Sequence, residues 1–306
     1  MLSQNKMAAT TDKRKYLQPE TVAMLNSMAL RARLVVEGYI IGQHRSPYHG
    51  FSVEFAEHRA YGPGDEIRHI DWKLYGKTDR FYTKRYEEET NLHSHILLDI
   101  SNSMHYSSGK LTKLEYGSYL TAALSYLMLN QQDGVGLGLF HHKLESLLPP
   151  RSTQSHLNSV FTQLENITPG QDTNLGSVLH EMAERIKKRG LTIIISDLMD
   201  DMDLIMDGLK HFRHKKQEMI VFHIIDREEI EFSFNTRTRF KDMETGEMIT
   251  TEPWQIRNAY KSLMKTYQDR YRKQCGLRKI DYLPLYTDLD LDYALNEYLR
   301  KRIKLG

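Results

Sequence analysis

Two nearly unbroken apolar runs, Leu191–Ser196 and Met219–Ile225, limit the possible folds of this chain more than any other feature. Both are rich in β-branched residues and too short for independent helices, so they read as strands. A strand without a polar face is covered on both sides, which is the condition of a parallel sheet sandwiched between helices. Between the two runs, Leu204, Ile205, Gly208, Leu209 and Phe212 recur at helical spacing, as a crossover between parallel strands requires.

The same alternation extends in both directions. Leu120, Ala123, Leu124, Leu127 and Met128 place a helix over about Leu111–Asn130. Gly134–Phe140 reads as a strand whose glycines leave a bare face for a closely packed helix. His141-His142-Lys143 turns into a second strand, Leu144–Leu148, stopped by Pro149-Pro150. Leu157, Val160, Phe161 and Leu164 mark one helix; Leu175, Val178, Leu179, Met182 and Ile186 mark another, ended by Gly190. Beyond Asp226 the pattern predicts a hairpin over Arg239–Thr250 with its turn at Thr245-Gly246. A long polar helix, Pro253–Cys275, a strand, Ile280–Tyr286, and a helix, Leu289–Ile303, complete the chain. The expected fold class is α/β: a doubly wound, mostly parallel sheet with helices on both faces.

Upstream the pattern changes. Residues 1–18 read as a mobile tail, and 19–90 as an N-terminal helix, about Glu20–Glu37, followed by short strands and loops packed on the main domain of residues 91–306. Gly, Pro, His, Arg and aromatic residues crowd the segment from Gly38 to Glu89, which is too polar for a core of its own. With 42 Lys and Arg against 40 Asp and Glu, the charge balance gives no case for nucleic acid or an anionic membrane. The single Cys275 excludes an internal disulfide and fits a reducing cytosol. Met1–Glu20 lacks the apolar core of a signal peptide, and no run approaches the roughly 20 apolar residues of a membrane helix. A soluble cytoplasmic protein without membrane insertion is expected.

Chemistry enters at Ile96-Leu97-Leu98-Asp99-Ile100-Ser101-Asn102-Ser103. A buried strand ends in Asp99, at the sheet edge where open α/β folds place their ligands. Asp99, Ser101 and Ser103 offer three oxygens from one tight loop, a set suited to a hard cation such as Mg²⁺. One carboxylate and two neutral hydroxyls leave such an ion with surplus positive charge, able to accept a partner's carboxylate. The same residue types are also ordinary turn and N-cap residues. Thr173, at the start of the Leu175 helix, and Asp197, at the end of the strand Leu191–Ser196, occupy equivalent positions and can converge with Asp99. Thr173 also suits a helix cap, and Asp197 a solvated loop with Asp200, Asp201 and Asp203.

The order of these three motifs resembles the von Willebrand factor A domain with its metal-ion-dependent adhesion site. The preceding segment narrows the match. Gly42-x-His44-x-Ser46, Gly50, Glu54-Phe55, Arg59-x-Tyr61 and Gly64-Asp65-x-x-Arg68-x-Ile70-Asp71-Trp72 resemble the bacterial family known as domain of unknown function fifty-eight. Asp242-x-Glu244-Thr245-Gly246-Glu247, Tyr260 and Asp288 extend the likeness over roughly residues 38–303. The family often has a second glycine just before Glu-Phe, where this chain has Gly50-Phe51-Ser52-Val53. The resemblance implies that Asp99, Ser101 and Ser103 form the first motif, Thr173 the second and Asp197 the third. The hydroxyls would touch Mg²⁺ or another divalent cation directly, and one or more acids would act through water. It also implies a partner: members commonly accompany an AAA+ ATPase of the MoxR type.

Other groups are read structurally. Arg59, Asp65, Arg68 and Asp71 suit an ion-pair network with Trp72 as a packing anchor. His93 with His95, and His141 with His142, are weak candidates for a second metal. The cationic, tyrosine-bearing helix Pro253–Cys275 reads as a solvated or partner face rather than an RNA contact. No Gly-x-x-x-x-Gly-Lys loop is present, so ATP would have to be bound by a partner. The leading expectation is a non-enzymatic, metal-dependent protein-interaction module whose protein ligand presents an Asp or Glu. The alternative is a metal-dependent, phosphatase-like hydrolase. Aspartyl-nucleophile phosphatases usually place a second acid two positions on, and Ser101 stands there instead.

Overall fold

The computed structural model describes residues 22–23, 27–43, 58–60, 75–76, 82–84, 92–168, 174–243 and 246–305. The chain divides into two compact units, one of residues 1–46 with 92–306 and one of residues 47–91. The second unit contributes a short antiparallel pair, β1 (His58–Ala60) and β2 (Tyr82–Lys84). Asp65, Arg68, Asp71 and Trp72 of the expected ion-pair network, and residues 1–18, lie outside the described residues.

The first unit opens with α1 (Met28–Gln43), which runs past the expected end at Glu37 because Gly38 is carried inside the helix. Buried Ala32, Val35, Val36 and Tyr39 face the core, and Tyr39 Oη hydrogen-bonds Asn296 Oδ1 at 2.8 Å. From β3 (His93–Asp99) the chain alternates. It continues through α2 (Lys113–Asn130), β4 (Gly134–Phe140), β5 (Leu144–Arg151), α3 (Gln154–Glu165) and α4 (Leu175–Arg185). Next come β6 (Leu191–Ser196), α5 (Met202–His214), β7 (Glu218–Ile225) and the short α6 (Arg227–Glu231). The hairpin β8 (Thr238–Lys241) and β9 (Met248–Thr251), then α7 (Pro253–Leu277), β10 (Asp281–Tyr286) and α8 (Asp292–Leu305), close the unit.

Six strands form one sheet in the order β10-β7-β6-β3-β4-β5. All neighbours are parallel except β4 and β5. This is the doubly wound, mostly parallel sheet expected of the sequence. Side chains alternate between two cores. Ile96, Leu98, Ile193 and Ile195 pack with α1, α2, α3 and α8, whereas Leu97, Ile194, Met219 and Val221 pack with α4, α5 and α7.

Strand β5 does not stop at the prolines but carries Pro149 and Pro150 within it. It lies at the sheet edge, where a residue lacking an N–H leaves no neighbour unpaired. The glycine face of β4 has two neighbours. A Cβ at Gly138 would meet Leu97 and Met182, the latter on α4, but at Gly136 it would press on the Leu148 carbonyl at 2.8 Å.

The helices that frame the strands' carboxyl edge begin at well-defined caps. Thr112 and Glu115 form a capping box at α2, and Asp226 and Glu229 form another at α6. Asn174 caps α4 and Asp201 caps α5. Helices α4 and α5 approach closely because a Cβ at Gly176 would stand 2.8 Å from Leu204 Cβ, and one at Gly208 only 2.7 Å from Leu179 Cβ. No helix among the described residues is long and apolar enough to cross a membrane.

Candidate functional site

Parallel strands β3 and β6 end side by side, with Leu98 opposite Ile195. Asp99 and Ser196 therefore come next to each other, and Ser196 Oγ donates to Asp99 Oδ2 at 2.7 Å. The loop after β3 folds back at once. Ser101 N–H donates to Asp99 Oδ1 at 2.9 Å, and a 3-10 turn over Asn102–His105 follows. This curl puts Ser101 Oγ 3.1 Å from Ser103 Oγ.

The two hydroxyls are hydrogen-bonded to each other at that distance, which is also close to the spacing of adjacent oxygens around a small divalent ion. Octahedral Mg²⁺ holds oxygens at about 2.1 Å, so adjacent ligands stand about 3 Å apart. Asp99 completes the argument for fit. It is fully buried, and among the described residues no Lys, Arg or His pairs with it. Burial, reinforced by the negative charge of Asp197, pushes its carboxyl up to about 7. The shift reflects desolvation first and the charge of Asp197 second.

Asp197 is also buried, but it is not short of charge. Its Oδ2 takes Lys113 Nζ at 2.7 Å, and the same ammonium lies 2.7 Å from Glu229 Oε1. Burial works against the charged form of Lys113, but Asp197 and Glu229 outweigh it and raise its pKa. Glu229 is in turn fixed by the α6 capping box, with Oε2 accepting from Asp226 N–H at 2.8 Å. Asp226 reaches back to the first loop, accepting from Ser108 N–H at 2.9 Å and from Ser108 Oγ. Tyr260 and Asp288 brace the same segment. Tyr260 stacks on Phe232 at 4.2 Å, and Asp288 takes the Arg227 guanidinium in a forked pair.

Thr173 lies outside the described residues. Its near neighbour Leu175 is informative: the Leu175 N–H donates to Asp200 Oδ2 at 2.7 Å, tying the start of α4 to the loop that follows Asp197. The remaining acids of that loop have structural work, Asp201 as the α5 cap and Asp203 in an exposed pair with Arg270. The loop itself is constrained. Leu198 has a left-handed backbone, φ +54°, held by Ser196 Oγ on its N–H and by Tyr267 Oη of α7 on its carbonyl at 2.6 Å.

The histidines offer no comparable set. His95 is buried with Nδ1 unpartnered, and burial lowers its pKa to about 4. His141 and His142 place their Nδ1 atoms 2.7 Å apart. Among the described residues, no group of three or more His, Cys, Asp or Glu side chains is arranged to hold a metal.

A family model described as protein of unknown function DUF58 matches residues 57–270, more than half of the chain. The chain belongs to the DUF58 family. The chain is similar to the uncharacterized protein Rv1480 of Mycobacterium tuberculosis and to Mb1516 of Mycobacterium bovis. Each is 20% identical over 231 residues, covering 74% of this chain and 72% of the relative. Among solved structures, BatB from Bacteroides thetaiotaomicron is 20% identical with a TM-score of 0.49, covering 70% of this chain and 99% of its own. An aerotolerance-related membrane protein from Bacteroides fragilis is 19% identical with a TM-score of 0.48, covering 70% and 100%. The SpRpn10 VWA domain is 11% identical with a TM-score of 0.36, covering 67% and 95%. The fold of this DUF58 chain rests on its own strand order.

Sequence reasoning missed Lys113, Ser196 and Glu229. Lys113 left one trace. It follows Thr112 in a Thr-x-x-Glu capping box, which places a cation at the positive end of a helix, where it needs anions beside it.

Proposed function

We propose that this DUF58 chain is a metal-dependent protein-interaction module that does no chemistry of its own. Asp99, Ser101, Ser103 and Thr173 would hold Mg²⁺ or another divalent cation, with Asp197 acting at a distance, and an Asp or Glu of a protein ligand would complete the set. The observation that carries this reading is Asp99: a buried carboxylate without a cationic partner among the described residues, beside two hydroxyls 3.1 Å apart. The ion would supply a positive charge on which a carboxylate can settle. The likeness to families that accompany MoxR-type AAA+ ATPases supports a role beside such an ATPase in assembling or remodelling other proteins. The single Cys275 supports a cytosolic setting.

Pull-down from native lysate in Mg²⁺ and in EDTA tests this reading. Capture of the ligand should need the metal and fall at least tenfold for Ser101→Ala, Ser103→Ala and Thr173→Ala, each first checked for folding. Undiminished capture in EDTA would defeat the mechanism. Turnover of phosphoesters in Mg²⁺ or Mn²⁺ that Asp99→Asn abolishes would instead favour a hydrolase.

A further inference from the structure

Lys113 is an unexpected side chain for its position. It is almost wholly buried, a state lysine adopts only when paired. It also stands at the first residue of α2, where the helix dipole is positive and a cation is unfavourable. An apolar side chain would cost less on both counts. What Lys113 meets there is Asp197 at 2.7 Å and Glu229 at 2.7 Å. Asp99, the neighbouring carboxylate, receives the Ser101 N–H, the Ser196 hydroxyl and the Ser101 side chain, all neutral donors. The two aspartates at the ends of β3 and β6 are thus treated unequally: one is neutralised from within the chain, and the other is left without a cation among the described residues.

We propose that Lys113 is a tethered counter-cation that withholds Asp197 from the divalent ion, so that the ion is held loosely, through Asp99 and the two serines, and keeps positive charge for an acidic ligand. This inference rests on the metal-binding reading above. The ammonium repels the ion and cancels the attraction of Asp197. Glu229 sets how completely it does so, because it shares the same ammonium. The arrangement exchanges affinity for the metal against affinity for the ligand on it.

A merely structural lysine and a tethered counter-cation predict opposite signs. Mn²⁺ binding to the full chain, followed by electron paramagnetic resonance, should be at least tenfold tighter in Lys113→Met than in wild type. Glu229→Gln, which removes the anion that shares the ammonium and leaves its charge less compensated, should bind several-fold more weakly. A cooperatively folded Lys113→Met protein that binds Mn²⁺ as wild type does, or less well, overturns the proposal. Should Lys113→Met not fold, Lys113→Gln, which keeps a polar group between Asp197 and Glu229, decides: tighter Mn²⁺ binding than wild type sustains the proposal, and unchanged or weaker binding overturns it. Wild-type binding that Asp99→Asn abolishes while Lys113→Met leaves it unchanged defeats only the role of Lys113. Absence of Mn²⁺ binding in both wild type and Lys113→Met, or wild-type binding indifferent to Asp99→Asn, defeats the metal reading and this proposal with it.

Discussion

At Asp99, burial and ionisation are in conflict, and the conflict can be measured. In chelator the carboxyl of the unfolded chain ionises near its ordinary 3.8, whereas the folded one does so near 7. Between those values the folded state holds the extra proton, so stability falls as pH rises through that window and the loss is complete above 7. Asp99→Asn removes the group that ionises. In EDTA at pH 8 it should be more stable than wild type by roughly 2–4 kcal/mol, with the gap closing toward pH 4. Urea unfolding at both pH values reads this directly, and a wild-type protein with the same gap to the variant at both would contradict it. Asp99, Ser101 and Ser103 were legible in the sequence because their meeting is local: one strand end and one tight curl bring them together. Ser196 and Lys113 were not legible because their roles depend on strand register and on how α2 lies against β6 and α6, which no short motif encodes.

Helix α7 illustrates the same limit for a whole element. Its charge and tyrosines suggested a solvated or partner-facing helix, yet Tyr271 is buried and Tyr267 grips the Leu198 carbonyl. The spacing of Tyr260, Tyr267 and Tyr271 defines a shared helical face, but not what that face touches. Tyr267→Phe should cost about 1–2 kcal/mol, because it deprives a buried carbonyl of its best donor. Tyr271 Oη, at 3.4 Å, is too distant to replace it fully. The left-handed turn at Leu198 should then loosen, and the metal-induced gain in stability should shrink with it. Unfolding of the variant with and without Mg²⁺ separates the two effects; a full metal response would show that the turn does not depend on α7. The strand–helix alternation was readable because parallel strands and their crossovers leave strong periodic patterns. The extra length of β5 was not, since a proline's tolerance depends on lying at an edge.

For the molecule as a whole, the test of the site is linkage. An ion that binds only the folded chain raises stability by about 2.7 kcal/mol at a hundredfold excess over its dissociation constant. Mg²⁺ should therefore lift the melting temperature by several degrees over chelator, and Asp99→Ala should remove that rise. Equal melts in Mg²⁺ and EDTA would leave Asp99 without its proposed cation.

The sheet itself has a further property. Its two outer strands both carry proline, Pro149 and Pro150 in β5 and Pro284 in β10. Exposed strand edges are templates on which other chains grow, and proline offers no donor to continue the ladder. Replacing all three by valine should increase light scattering on gentle heating, at a temperature where the parent stays clear. The margins of this sheet are thus terminated chemically, by residues that offer no donor to a further strand.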